Sequence, residues 1–378
     1  MRRAVLVVAV VGALATTLVG ASAPAGAKSR RPVAIVFNGQ GNNLDAYASV
    51  PPFRHQRVIT NHDDDPDGLD LNAQICFFPE RMVPESKGNV RWFIAGEDTG
   101  QPDPPQGWGI FALRGNRVGH LSAKRIGKLT PTYQAALDNA ENYGCGFLPD
   151  GRVLTTDIGN QAAGEGDGQL IMWFPPFDRM RVRYCKIDVA IATAGGLAVD
   201  RTGVYVTSAR PPTAGVWRYE GPFPTSDTAA GGCGRTDPTG APLADTVNKS
   251  LFIPPGGPLV TPNAIVRSPD GWYVSSVFNG VIAEFHSDGT FRRTVLAPPA
   301  GESLGAQPYS TGTPLGLGVD RRGNLFYADI GLVIDDGVGP GDGTGSLRRI
   351  RFVDGEPRPP KTMAEDLAFP DGIGVLQP

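Results

Sequence analysis

Seven side chains with hard oxygen donors, Asn72, Glu97, Asn142, Asp157, Asn263, Asp329 and Asp371, stand at matching places in a set of repeated segments, at the start of one apolar run or the end of the next. Carboxylate and amide oxygens gathered without His or Cys suit a hard divalent cation such as Ca²⁺. A cation held this way can polarise a carbonyl while a neighbouring carboxylate takes a proton from water. Metal-assisted hydrolysis is the chemistry expected if the chain brings these groups together. Each residue alone has a plainer use, because Asp and Asn end strands by satisfying nearby backbone donors.

The elements that must position them repeat. "ENYGCGFLPDGRVLTTDIG" from Glu141, "AGGLAVDRTGVYVTSA" from Ala194, "TPNAIVRSPDGWYVSSVFN" from Thr261 and "TPLGLGVDRRGNLFYADIG" from Thr313 share length, turn and order of residue types. Each reads as a hairpin of two apolar runs with period-2 alternation. Repetition at roughly 40 to 60 residues marks a propeller or a solenoid. The segment from Arg31 to Thr60 aligns with the later "WYVSSVFNGVIAEFHSDGTFRRTVL" as a blade lacking its first strand, and "FPDGIGVL", from Phe369 to Leu376, supplies that strand at the other end of the chain. The expected fold is an all-β six-bladed β-propeller over residues 28–378, closed by one C-terminal and three N-terminal strands in the same blade, which leaves no free edge. In such meanders the start of each innermost strand and the end of each second strand share one face. Asn38, Asp98 and Asn279 join the seven residues there, with Gly195, Ser208 and Leu315 at the remaining places.

Arg2 and Arg3, the apolar run from Ala4 to Val19 and the Ala-x-Ala sites at Ala21/Ala23 and Ala25/Ala27 form a secretory leader, 1–27, with the mature chain beginning near Lys28. No later run is long enough to span a bilayer. A secreted monomer without a membrane span is expected. Loss of Arg2 and Arg3 takes the formal charge from −3 to about −5, and no basic stripe for nucleic acid is present. Four cysteines in an exported chain allow two disulfides. Superposing "ICFFPE" on "CGFLPD" sets Cys76 and Cys145 one position apart, hence on opposite faces of neighbouring blades, which meet. Cys76–Cys145 is therefore predicted, leaving Cys185 to pair with Cys233 in a Gly-rich insertion.

"DDDPDGLD" places Asp63, Asp65 and Asp67 before Gly68 as in an EF-hand loop, but Asp70 and Gln74 break the later positions, so a solvated acidic turn is the alternative. Two Gly-rich loops, one with Glu165 and Asp167 and one with Asp335, Asp336 and Asp342, border the same face as lids or exposed connections. A short helix is predicted at "PTYQAALDNA", and a Pro-rich loop at 101–106. His55, His62, His120 and His286 fall on outer strands, turns or the N-terminal connection, and no nucleophile elbow or phosphate-binding loop occurs. Trp92, Trp108, Trp173, Trp217 and Trp272 sit at strand positions and read as inter-blade packing.

"PNAIVRSPDGWYVSS", "PLGLGVDRRGNLFYAD" and "FPDGIGVL" resemble the regucalcin/gluconolactonase and strictosidine-synthase-like superfamily and the related NHL repeats. The resemblance implies an axial divalent cation held by a Glu, Asn residues and an Asp that serves as base in lactone hydrolysis. Asn263 and Asp371 match its Pro-Asn and Pro-Asp-Gly motifs. Leu315 stands where an Asp would be expected, and Glu97, Asp98 or Glu141 would have to replace the family's Glu. The expected activity is that of a secreted Ca²⁺-type hydrolase of a small-molecule lactone or ester, with Asp371 or Asp157 activating water. The alternative is a non-catalytic extracellular propeller that binds a protein or glycan.

Overall fold

The computed structural model describes residues 33–83, 90–97, 107–130, 142–158, 168–335 and 337–377. The leader, Asp98, the 101–106 loop, the helix predicted in 131–140, Glu141, Glu165, Asp167 and Asp336 lie outside them.

The chain forms a six-bladed all-β propeller. Blade one combines Ile35–Gln40, Asn43–Ala48 and His55–Ile59 with the C-terminal Ile373–Leu376, which pairs antiparallel with Ile35–Gln40. Blade two runs Leu71–Phe77, Val90–Glu97, Gly107–Arg114 and Ser122–Leu129. Blade three runs Asn142–Phe147, Val153–Asp157, Gly168–Trp173 and Tyr184–Ile191, and blade four Ala194–Asp200, Gly203–Ser208, Gly215–Glu220 and Asn248–Ile253. Blade five is Pro262–Arg267, Gly271–Ser276, Val281–His286 and Phe291–Leu296; blade six is Pro314–Val319, Leu325–Asp329, Gly345–Ile350 and Lys361–Leu367. The innermost strands touch one another in sequence order, and Ile373–Leu376 contacts both Pro314–Val319 and Leu71–Phe77.

The small-residue runs of the sequence have a packing cause. A Cβ on Gly195 would stand 2.8 Å from the carbonyl of Asn263 in the next blade, and one on Gly374 would stand 2.7 Å from that of Ile75. Both lie well inside van der Waals contact, so only glycine lets these inner strands approach so closely. Hydroxyls on the second strands then stitch the blades. Thr156 Oγ1 accepts from Gly144 N at 2.6 Å and donates to Gly195 O at 2.6 Å, while Ser275 Oγ accepts from Ala264 N at 2.9 Å and donates to Leu315 O at 3.1 Å. Thr207 donates likewise to the Asn263 carbonyl. Thr156 and Ser275 each satisfy a donor left over by a bulge in their own blade's first strand and an acceptor in the next blade.

Apolar clusters fill the spaces between blades, with Trp272 sealed between blades four and five against Tyr205 at a ring separation of 4.3 Å. Trp108 and Trp173 are also buried, while Trp92 and Trp217 pack partly buried at cluster edges. Both predicted disulfides form, Cys76–Cys145 between blades two and three and Cys185–Cys233 between blade three and the insertion of blade four. That insertion lies back over blade three. Its strand Pro242–Leu243 pairs parallel with Tyr184–Ile191, and Lys186, almost fully buried, donates to Asp237 at 2.8 Å.

Candidate functional site

Strand register decides which side chains meet at the axis. Asn142 faces Asp157, Ala194 faces Ser208, Pro262 faces Ser276 and Pro314 faces Asp329, and each first strand bulges immediately afterwards. The next residues along, Tyr143, Gly195, Asn263 and Leu315, therefore hold equivalent places, as does Asn72 after the Leu71–Glu97 pair. Asp371 completes the set, because its carbonyl receives Gly316 of the preceding blade just as the Asn263 carbonyl receives Gly196.

Asn142 thus lies one place from its predicted position, and Tyr143 takes that place. The turn from Phe147 to Val153 is one residue longer than the turn from Arg267 to Trp272, but the extra residue follows Gly151 and leaves the first strand in phase with its counterpart. Counted back from the Pro-Asp-Gly turns, Tyr143 and Asn263 stand the same distance before the proline, so matching Asn142 to Asn263 by residue type was an error of one place. Asn142 itself donates to the Gly107 carbonyl of blade two at 2.6 Å. Asn38 sits inside its strand opposite Ile373, not at the strand end, and Asn279 lies beyond Gly271–Ser276, donating to Pro258 O at 2.9 Å.

The carboxylates are engaged within the fold. Asp329 is wholly buried; its Oδ1 accepts from Thr313 N at 2.7 Å, Thr313 Oγ1 at 3.2 Å and Gly331 N at 3.0 Å. Its Oδ2 meets Ser346 Oγ at 2.8 Å and Arg348 Nη2 at 3.1 Å. Glu97 is buried beneath Arg125 at 3.3 Å and Lys128 at 3.1 Å. Asp157 is buried opposite Asn142, and Asp371 Oδ1 accepts from the N–H of Gly372 at 2.5 Å. Among the described residues, no three His, Cys, Asp or Glu side chains come together as a metal-holding group. The oxygens of Glu97 are thus met by two cations, and those of Asp329 by Arg348, two hydroxyls and backbone donors.

What crosses the axial mouth is apolar. Tyr143 of blade three packs against a cluster of Val277, Leu315, Ile330 and Leu332 contributed by blades five and six. Its hydroxyl is enclosed and makes no hydrogen bond among the described residues. Burial first, and the nearby Asp371 carboxylate second, push its pKa well above the ordinary phenol value. The ring so formed is two amides, one carboxylate, one glycine, one leucine and one tyrosine, not a ring of anions.

Neither a family model nor a curated relative matches the sequence. Among solved structures, a Bacteroides uniformis protein provisionally named a 6-phosphogluconolactonase is similar over 92% of this chain and 100% of its own, at 10% identity and a TM-score of 0.46. A Bacteroides fragilis protein with the same provisional name aligns over 92% of this chain and 99% of its own, at 11% identity and a TM-score of 0.43. The calcium-binding protein regucalcin from Agrobacterium tumefaciens aligns over 68% of this chain and 81% of its own, at 14% identity and a TM-score of 0.37. Likenesses this remote carry no residue's role across.

Elsewhere, Asp63 to Asp70 form an exposed turn bonded to itself: Asp65 Oδ1 accepts from Asp67 N at 3.1 Å and Asp70 Oδ1 from His62 N at 2.8 Å. Asp335 and Asp342 are exposed residues around a small hairpin, Leu332–Ile334 with Val338–Pro340. Among the described residues no helix is long and apolar enough to cross a membrane. Tyr143 and the inter-blade hydroxyls were not anticipated. The recurring Thr-Thr-Asp, Val-Thr-Ser and Val-Ser-Ser endings of the second strands carried the signal for the hydroxyls.

Proposed function

We propose that the chain is an exported β-propeller that works by binding another extracellular molecule, not by hydrolysing one. The observation that carries this reading is Tyr143 laid across the axial mouth against Leu315, with Asp329 and Glu97 already bonded inside the fold. A hydrolytic centre needs a carboxylate with lone pairs open toward substrate and water. The reading takes residues 1–27 as a cleaved leader and blade one as the clasp that closes the ring. It is tested by assaying lactones and aryl esters with Ca²⁺, Mg²⁺, Mn²⁺ and Zn²⁺. No turnover above buffer is expected from the wild type or from Tyr143→Ala, and metal-dependent turnover abolished by Asp371→Ala would overturn the reading.

One observation favours a second reading, a Ca²⁺-type hydrolase. Asn263 has an enclosed amide oxygen that makes no hydrogen bond among the described residues, in the ring that also holds Asn72 and Asp371. With Asp371 these amides would supply hard oxygen donors for a divalent cation, which would polarise a carbonyl. Elemental analysis of the wild type, Asn263→Ala and Asp371→Ala separates the readings: a bound ion lost in both variants supports the second.

A further inference from the structure

On the rim opposite the axial mouth, where blades two and three meet, Phe78, Met82, Trp92, Ile110, Ile126 and Phe177 line a groove of about 460 Å³. The fold explains its floor and walls. Phe78 and Trp92 come from the inner hairpin of blade two, Ile110 and Ile126 from its two outer strands, and Phe177 from the turn before Tyr184–Ile191. Ile126, an aliphatic residue on an outermost strand, is 41% exposed. Apolar surface gathered in a hollow and left open to water marks an interaction site more often than scattered surface residues do.

An adjoining hollow of about 400 Å³ shares Gly127, Phe177 and Asp178 with the groove and is lined by Arg125, Lys128 and Arg179. Glu97 beneath neutralises one of these charges, and Asp178 opposes another. Asp150, at the far rim, is bonded to Arg152 at 2.5 Å. A cationic excess therefore borders the groove in a chain whose formal net charge is −3. The edge beside it is also open among the described residues: Ser122–Leu129 is the outermost strand of its sheet, whereas the matching edge of blade three is covered by Pro242–Leu243.

We propose that this is a docking site for an extended acidic segment of another secreted protein, with one bulky apolar side chain in the groove and flanking carboxylates on Arg125, Lys128 and Arg179. The proposal rests on the binding reading above and names its partner class. A sulfated glycan would answer the charge but has no side chain for the groove. An extended peptide answers all three features, because an open strand edge supplies main-chain partners, a pocket seats an anchor and fixed cations select charge.

The test is selection of random dodecapeptides displayed on phage against the full mature protein, with anisotropy measurements on the synthesised winners. The winners should carry Asp or Glu around an aromatic or long aliphatic residue. Their binding should weaken about tenfold or more in Arg179→Glu and in Ile126→Glu, and should fall as ionic strength rises from about 0.05 to about 0.5 M. Both substitutions are at exposed positions, and unchanged melting curves verify that the variants fold. Selection without acidic enrichment, no selectable binder, or binding indifferent to both substitutions overturns the proposal. A heparin oligosaccharide that binds here and is displaced by no peptide also overturns it while leaving the binding reading intact. That reading fails separately, through metal-dependent turnover.

Discussion

Replacing Lys186 with Met should be among the most damaging single changes outside the apolar core. Lys186 and Asp237 are both almost wholly buried, and their 2.8 Å ion pair joins blade three to the insertion of blade four. Removing one partner of a buried pair leaves an uncompensated charge and costs about 3–5 kcal/mol. The lower end applies, because Asp237 Oδ1 still accepts from Thr239 N at 2.9 Å, Thr239 Oγ1 at 2.7 Å and Ala241 N at 2.8 Å. A loss of about 3 kcal/mol is therefore expected at pH 7 by urea denaturation. The penalty should depend on pH. Burial raises the Asp237 pKa, but the hydrogen bonds from Lys186 and then Thr239 outweigh it and hold the carboxyl below its ordinary value. A group depressed in the folded state contributes its stability above the unfolded pKa of about 4 and loses it as pH falls through the folded value. The gap between wild type and Lys186→Met should be full at pH 7 and narrow below about pH 4. Lys186→Met/Asp237→Asn should recover part of the loss, since no net charge is then buried. A penalty under about 1 kcal/mol, or one that does not change with pH, would refute the reasoning.

Asp329→Ala should destabilise by about 3–5 kcal/mol, equally in Ca²⁺ and in EDTA, because it strands Arg348 and the buried donors of Thr313, Gly331 and Ser346. A loss confined to metal-loaded protein would return Asp329 to the ligand set. Opening either disulfide by paired Cys→Ala changes should cost up to about 4 kcal/mol, since the bridges close loops with sequence separations of 69 and 48 residues; melting curves would show it. Trp272→Ala, emptying a fully buried site beside Tyr205, should cost about 3–5 kcal/mol in the same measurement.

Several elements of the fold were legible because local chemistry repeats. The turn at Asp200 formed as read, with its Oδ1 accepting from Thr202 N at 2.7 Å and Gly203 N at 3.1 Å. The pairing of Cys76 with Cys145 followed from which face of a strand each occupies. The site was less legible, because a side chain's partners come from strands distant in sequence. Nothing around Glu97 announces Arg125 and Lys128, which reach it from two strands further out in the same blade. Nor does the sequence around Asp329 announce Ser346 and Arg348, which the next strand brings to its second oxygen. The exchange of Asn142 for Tyr143 turned on matching asparagine to asparagine where the spacing from the Pro-Asp-Gly turn matches Asn263 to Tyr143. A strand's side chains change face with every residue, so an alignment error of one replaced an aromatic plug with an amide ligand.

Tyr143 also offers a sharper test of whether the axis is a closed plug. An enclosed hydroxyl with no partner among the described residues costs about 1–3 kcal/mol in lost hydration. Tyr143→Phe keeps the ring against Leu315 and Leu332 and removes only that oxygen, so it should raise stability by about 1 kcal/mol or more. Burial first, and the Asp371 charge second, disfavour ionisation of the phenol, so the group removed is a neutral hydroxyl. If the mouth instead admits water or a ligand that bonds the hydroxyl, Tyr143→Phe should be neutral or destabilising. In that case Tyr143→Ala would open a path to Asn263 and Asp371, and the axial chemistry would have to be assayed again in that variant. A measured gain in Tyr143→Phe leaves the propeller with a sealed axis, and its binding surfaces must then be sought on the rims and outer edges of the blades.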